Sequence, residues 1–301
     1  MRLSLAPIPY FWPRERVEAF YGAAAGWPVD VVYLGEVVCG KRLELRLEDW
    51  IAIGERLAAA GKEVVLSTQA LIEAESELAR MERLCRNGRF AVEANDLGAV
   101  HVLAEAGVPF VVGPHVNVYN AATLTLLAGL GARRWVPPVE LPGRMLARVL
   151  AGRPGGLEVE VTAYGRLALA FSARCFTARA DNVPKDACEL RCRHDPEGRL
   201  METQDGRALF VANGVQIQSA APCNLAAELG AMREMGVDLL RVVPDATATA
   251  EAVALLAEAV SGRRDPAEAA RALAALRPGA GACNGYWHGR AGLDWREALP
   301  A

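Results

Sequence analysis

The sequence predicts an α/β fold: a TIM-like (β/α) barrel interrupted by one cysteine-rich insertion. Three observations carry this expectation. Short β-branched runs alternate with amphipathic helical stretches along most of the 301 residues, with short connections, which is the order of a parallel sheet. Eight or nine such strands over this length favour closure into a barrel, and no G-x-G-x-x-G follows the first strand to argue for an open dinucleotide-binding sheet. The alternation then breaks between Gly165 and Gly214, where charged and turn residues surround three cysteines.

Taken in order, Leu3–Ile8 is a short apolar strand, and Arg14–Ala25 a helix with Pro13 at its start. Val29–Gly35 is rich in β-branched and aromatic residues, as a buried strand requires. Leu47–Ala60 is a helix stopped by Gly61, and Lys62–Ser67 the next strand. Gln69–Asn87 has helical apolar spacing, Phe90–Ala94 is a strand, and Leu97–Ala106 a helix before Gly107. Pro109–Val112 and Trp135–Val139 are strands, with helices over Ala121–Leu130 and Gly143–Leu150. Leu157–Ala163 alternates cleanly. Val215–Ser219 and Leu239–Val243 are the late strands, followed by helices over Thr247–Ser261 and Asp265–Ala275, the second with a capping Asp265 before Pro266. The domain reading is one barrel over 1–301, with 166–214 as the insertion and 276–301 as a docked tail.

Composition narrows the function. With 52% hydrophobic and 23% charged residues the chain is too apolar for disorder. Lys+Arg 33 against Asp+Glu 36 leaves a net charge of -3, so no basic excess points to nucleic acid. The N-terminal stretch has no apolar core or cleavage site typical of a signal peptide. The longest uncharged stretch, from Ala106 to Leu130, is broken by Pro109, Pro114, His115, Asn117 and Asn120, which does not suit a membrane span. The expectation is a cytoplasmic protein without an integral membrane segment.

Seven cysteines, an odd number, argue against a disulfide framework. Cys175, Cys188 and Cys192 form C-x12-C-x3-C. Cys39 follows a predicted strand at the barrel face where strand C-termini gather, so the fold is able to bring it to the other three. Four thiolates suit zinc or an iron–sulfur cluster, and the spacing alone leaves both open. Cys85 and Cys223 read as ordinary buried residues, and Cys283, near His288, as part of the tail. Arg174, Arg179, Lys185, Arg191 and Arg193 flank the cysteines. Of these, Arg174 is the expected partner of a bound group.

Polar residues at predicted strand ends outline a pocket: Glu36, Ser67, Glu93, Asn95, His115, Asn117, Tyr119, Glu140, Tyr164 and Arg241. His115, Asn117 and Glu140 are the catalytic candidates. Lys41 and Arg42 are either carboxylate binders or plain surface charges. A serine peptidase has no G-x-S-x-G elbow to build on here, and H-E-x-x-H is absent.

Several stretches are specific. They are LAPIPYFWPRERVEAFY at the start, VDVVYLGEVVCGKR around Cys39, VLST at Val65–Thr68, EANDLGAV at Glu93–Val100 and NVYNAATL from Asn117. YGRLALAFSARCFTAR at Tyr164–Arg179, KDACELRC at Lys185–Cys192 and CNGYWHGRAGL at Cys283–Leu293 complete them. On these residues the chain resembles the peptidase U32 family, and within it the branch serving oxygen-independent ubiquinone biosynthesis. The resemblance implies a [4Fe–4S] cluster on Cys39, Cys175, Cys188 and Cys192, making the insertion a cluster carrier. It implies a heterodimer with a UbiU-like sister subunit, helped by a UbiT-like lipid-binding accessory protein. The implied reaction is ring hydroxylation of a polyprenylated phenol precursor without dioxygen, with prephenate a candidate oxygen donor by analogy with relatives that hydroxylate RNA bases. Alternatives are a non-catalytic electron-transfer or scaffold subunit of that complex, or a zinc-stabilised hydrolase or peptidase.

Overall fold

The structure, a computed structural model, describes residues 1–277 and 279–297. Residues 278 and 298–301 of the expected tail lie outside the described residues. Eight parallel strands close into a barrel. The chain has eleven strands, of which the first seven and the last form the barrel; in order they begin with β1 (Arg2–Leu5), β2 (Val31–Leu34), β3 (Glu63–Ser67) and β4 (Ala91–Ala94). β5 (Phe110–Val112), β6 (Ala132–Trp135) and the long β7 (Glu158–Phe171) follow. Then come β8 (Arg199–Glu202), β9 (Ala208–Asn213), β10 (Gln216–Asn224) and β11 (Leu239–Val242). β11 pairs in parallel with both β1 and β7, which closes the ring, while β8, β9 and β10 form an antiparallel extension on the outer part of β7.

Helices α1 (Arg14–Ala24), α2 (Leu47–Ala59), α3 (Glu75–Cys85), α4 (Leu97–Glu105), α5 (Ala121–Gly129) and α6 (Gly143–Leu150) alternate with the first strands. α7 (Phe176–Ala180) sits in the insertion, and α8 (Leu229–Glu234), α9 (Thr249–Val260) and α10 (Pro266–Ala275) complete the chain. Side-chain caps set several starts: Asp96 accepts from Gly98 N at 2.6 Å, Asn120 from Thr123 N at 2.9 Å, and Asp265 from Ala267 N at 2.9 Å. No helix among the described residues is long and apolar enough to cross a membrane.

Strand periodicity sorts side chains to two layers. Outward residues such as Leu3, Leu5, Val32, Leu34, Val92 and Val112 join the barrel-to-helix core. Inward ones include Val31, Tyr33, Val65, Val111, Val136 and Leu239, which form a small inner cluster. The rest of the interior is ionic. Glu93, Arg134, Glu160 and Arg241 are all at most 4% exposed. Glu160 accepts from Ser4 Oγ at 2.6 Å, Tyr33 OH at 2.5 Å and Arg241 Nε at 2.6 Å, while Arg241 Nη2 also donates to Glu93 at 2.6 Å. Nearer the N-terminal end, Arg134 donates to Glu158 at 2.7 Å and Glu63 at 2.8 Å. Burial works against the Glu160 charge, but Arg241 and Arg134 hold its carboxyl below the ordinary range.

Besides β8, β9 and α8, which the sequence does not announce, and β10, which runs on to Asn224 rather than ending at Ser219, three elements differ from the sequence expectation in an instructive way. β6 begins at Ala132 rather than Trp135, because Arg134 turns inward to its carboxylates and so belongs to the strand. α3 begins at Glu75 rather than Gln69: Glu77 accepts from Glu73 N and Ala74 N at 2.7 and 3.2 Å, fixing the helix start. β7 runs on to Phe171 because β10 supplies an antiparallel partner beyond the barrel. The crossing there needs Gly165: its φ is +112°, and a Cβ would stand 2.7 Å from Val243 O.

Candidate functional site

Four cysteines lie toward the C-terminal rim of the barrel, in the loop after β2 and the segment joining β7 to β9. Gly35 ends β2, and Glu36 organises the next turn by accepting from Val38 N and Cys39 N at 2.9 and 3.0 Å. This presents Cys39 outward from the rim. On the other side Cys175 precedes α7, and its Sγ accepts from Ala178 N at 3.4 Å. Cys188 follows a 3₁₀ turn over Lys185–Ala187, and Cys192 lies in another over Arg191–His194. Between them Glu189 and Leu190 are both left-handed, at φ 47° and 55°. Two successive left-handed residues with side chains are strained, and such strain concentrates at functional loops.

Cys39, Cys175, Cys188 and Cys192 are all half-buried, whereas Cys85, Cys223 and Cys283 are buried. Burial pushes the Cys39 thiol up to about 11, with Arg42 opposing and Cys192 adding to the rise. Burial also raises Cys192, again against Arg42, with Cys175 acting in the same sense as burial. Cys39, Cys175 and Cys192 are therefore electrostatic neighbours. Among the described residues no three Cys, His, Asp or Glu side chains stand close enough to hold a metal ion as placed. The donor chemistry is nonetheless that of a soft-metal or iron–sulfur site, with thiols gathered on one rim and buried guanidinium charge beside them.

Arg42 supplies that charge. It lies under the rim, Nη1 donating to Pro9 O at 2.9 Å and Nη2 to Asn213 Oδ1 at 2.8 Å. Of the flanking cations expected to matter, Arg174 and Arg179 are exposed. Lys185 pairs with Glu73 and donates to Ala173 O, Arg191 faces Glu189 at 3.3 Å, and Arg193 faces Glu44 at 3.3 Å. Lys41 donates to Lys185 O at 2.9 Å and so ties the Cys39 loop to the cysteine segment. The segment is fastened to the barrel further on: Trp12 Nε1 donates to Pro196 O at 2.8 Å, Arg166 to Glu197 O at 2.8 Å, and Arg277 pairs with Glu197.

The expected pocket residues separate into three groups. Ser67, Asn95 and Arg241 all bond to Glu93, Ser67 Oγ at 2.7 Å and Asn95 Nδ2 at 3.3 Å, and Glu93, Asn95 and Arg241 line a narrow cavity of about 70 Å³ at the barrel mouth. His115 lines this cavity and packs edge-on against Phe171 at 4.7 Å. Burial and the Arg241 cation pull its pKa down to about 3, so the ring is neutral. His115, Asn117 and Glu140 also line an adjoining open groove of about 250 Å³, where Tyr119 OH donates to Glu140. Glu36 belongs to the cysteine loop instead. Tyr164 is directed away from the mouth: a one-residue bulge in the β7–β11 pairing after Thr162 turns it into the helix layer, where its OH donates to Leu273 O at 3.4 Å.

Cys283 faces Cys223 across a parallel bridge in the interior, and His288 Nε2 lies 3.2 Å from Glu228. The sequence reading missed Asn213, Gly214 and the hairpin that carries them. Only the N-G pair over Asn213–Gly214, a hairpin-turn signal, marked it.

Comparison with known proteins places these features in a family. The chain is similar to the U32 peptidase Mk0906, at 11% identity over 82% of this chain and 94% of that one, with a TM-score of 0.45. It is also similar to dihydrodipicolinate synthase from Aquifex aeolicus, at 10% identity over 92% and 80%, with a TM-score of 0.48. A family model described as peptidase family U32 matches residues 15–278. The chain belongs to peptidase family U32.

Proposed function

We propose that this chain is a UbiV-type subunit that carries a [4Fe–4S] cluster on Cys39, Cys175, Cys188 and Cys192 and serves oxygen-independent ring hydroxylation in ubiquinone biosynthesis. A UbiU-like sister subunit and a UbiT-like lipid carrier are its proposed partners. One observation supports this best: a cysteine from the loop after β2 and cysteines from a segment more than 130 residues later share one rim, beside a buried arginine. A structural role alone does not explain half-buried thiols there, since the barrel is already closed beneath them.

When bound, the cluster supplies one-electron transfer. The protein's own part is to present the thiols and shield them. Glu36 shapes the Cys39 turn, Lys41 bridges to Lys185, and Arg42 places positive charge under Cys39 and Cys192. The narrow mouth cavity favours a second reading for substrate. About 70 Å³ holds a few waters and not a prenylated ring, which leaves the open groove of about 250 Å³ beside it, or the partner subunit, to bind the phenol. A peptidase reading has no support in the contacts: among the described residues no serine hydroxyl is bonded to a histidine.

The test is anaerobic purification with iron, sulfide and zinc analysis and a visible spectrum. We expect about four irons and four sulfides per chain. They are lost in Cys39→Ala, Cys175→Ala, Cys188→Ala and Cys192→Ala and kept in Cys223→Ala. Stoichiometric zinc without iron overturns the reading. Hydroxylation in the assembled complex that survives both His115→Ala and Glu140→Ala places the chemistry in the partner; loss in either places it here.

A further inference from the structure

We propose that Arg42 is a positioning residue that sets the reduction potential of the group held by the rim cysteines, an inference that rests on the cluster reading above. The Arg42 side chain has no solvent exposure. Burying a cation is unfavourable unless an anion pairs with it. The two buried arginines inside the barrel meet that condition: Arg134 and Arg241 each donate to two carboxylates. Arg42 does not. Its donors go to a carbonyl, Pro9 O, and to an amide oxygen, Asn213 Oδ1. Its Nε is buried with no acceptor. The nearest carboxylate, Glu36, stands 3.8 Å away and is already engaged by two backbone N–H groups.

The surroundings are built to keep the guanidinium in place. Asn213 is itself held, donating to Pro9 O at 2.8 Å and Gln216 Oε1 at 3.1 Å. Gly214 clears the space: φ is +66°, and a Cβ there would stand 2.7 Å from Arg42 Nη2. Phe11 covers one side at 5.8 Å. Its own backbone N donates to Cys39 O at 3.0 Å, and after Glu36 the nearest charges that act on it are Cys192 and Cys39. A fixed cation, short of a full counter-charge and seated beside cysteines from two distant parts of the chain, fits an anionic thiolate-bound group.

The consequence is electrostatic. A [4Fe–4S] cluster with four thiolates is doubly negative when oxidised and triply negative after taking up one electron. A nearby fixed cation stabilises the second state more than the first, so it raises the potential, and hydrogen bonds to the sulfurs act in the same direction. Arg42 therefore makes the group easier to reduce than an exposed arginine such as Arg174, whose charge water screens.

The experiment is an anaerobic dithionite titration followed by electron paramagnetic resonance, on wild type, Arg42→Gln, Arg42→Lys and Glu36→Gln at matched iron and sulfide content. The midpoint potential is expected to fall in Arg42→Gln, to return toward wild type in Arg42→Lys, and to rise in Glu36→Gln, which keeps an acceptor for Val38 N and Cys39 N. Opposite shifts at two neighbouring residues are not produced by a packing role. A loaded Arg42→Gln protein at the wild-type potential overturns the inference, as do equal shifts in Arg42→Gln and Arg42→Lys. Where Arg42→Gln does not fold, an unchanged potential in Glu36→Gln overturns it. A wild type free of iron and sulfide overturns the cluster reading itself, so the two failures are distinct.

Discussion

The barrel interior and the cysteine rim both bury charge, and they do it differently. In the interior Arg241 meets Glu160 and Glu93, each at 2.6 Å, and Arg134 meets Glu158 and Glu63 at 2.7 and 2.8 Å. Serine and tyrosine hydroxyls take the remaining acceptor positions on Glu160. That lattice is complete within the chain. At the rim Arg42 has an unpartnered Nε and only a distant carboxylate, and four thiols stand half-buried around the loops it supports. Buried arginines of the same chain are thus treated differently: Arg134 and Arg241 are fully paired by the fold, and Arg42 only in part.

The comparison breaks most visibly if the interior lattice is cut. Arg241→Met leaves Glu160 and Glu93 buried without their shared cation, and it is expected to cost about 3–5 kcal/mol in urea unfolding. Arg42→Met removes hydrogen bonds to neutral acceptors and is expected to cost less, about 1–3 kcal/mol. Equal losses would mean that Arg42 is as fully paired as Arg241.

The next effect is in pH. His115 is neutral in the fold because burial and Arg241 hold its pKa near 3, while in the unfolded chain it titrates near its ordinary value of about 6.5. The unfolded state therefore binds the extra proton first. Its contribution to stability is complete above pH ~6.5 and declines as pH falls toward about 3, by at most ~1.4 kcal/mol per unit. His115→Gln should flatten that part of the stability profile measured by urea titration. A profile identical to wild type would show that the ring is freely protonated at the mouth.

The smallest effect separates the two kinds of cysteine. In cluster-free protein each of Cys39→Ala, Cys175→Ala, Cys188→Ala and Cys192→Ala should change unfolding free energy by no more than about 0.5 kcal/mol, as partly exposed positions do. Cys223→Ala, in the core against Cys283, should cost about 1 kcal/mol through the cavity it leaves. Equal costs would make the rim thiols structural.

Much of the barrel was legible in the chain. β1 to β5 and the helices between them were found within a few residues, apart from the start of α3, because their buried faces are apolar and periodic. β6 was displaced because Arg133–Arg134 reads as surface, and only its carboxylate partners on β3 and β7 make Arg134 an interior residue. β8 was hidden because it is four residues long and mostly exposed, and β9, though apolar, stands in a segment otherwise dense in charged and turn residues. Of the expected pocket residues, Ser67, Glu93, Asn95 and Arg241 do gather at the mouth, but they consume one another's hydrogen bonds. Tyr164 was misplaced because a single bulge reverses which face a side chain occupies.

By itself the sequence determined the alternating α/β order, the absence of a basic or disordered character, and which cysteines stand outside the core pattern. These are local properties, carried by composition and spacing. The tertiary structure decided which strands close the ring, that the interior holds an ionic lattice beside a small apolar cluster, and that Arg42 rather than Arg174 is buried beside the cysteines. Each of these depends on groups far apart in the chain meeting at a few ångströms, where burial turns a plain charge into a strong one.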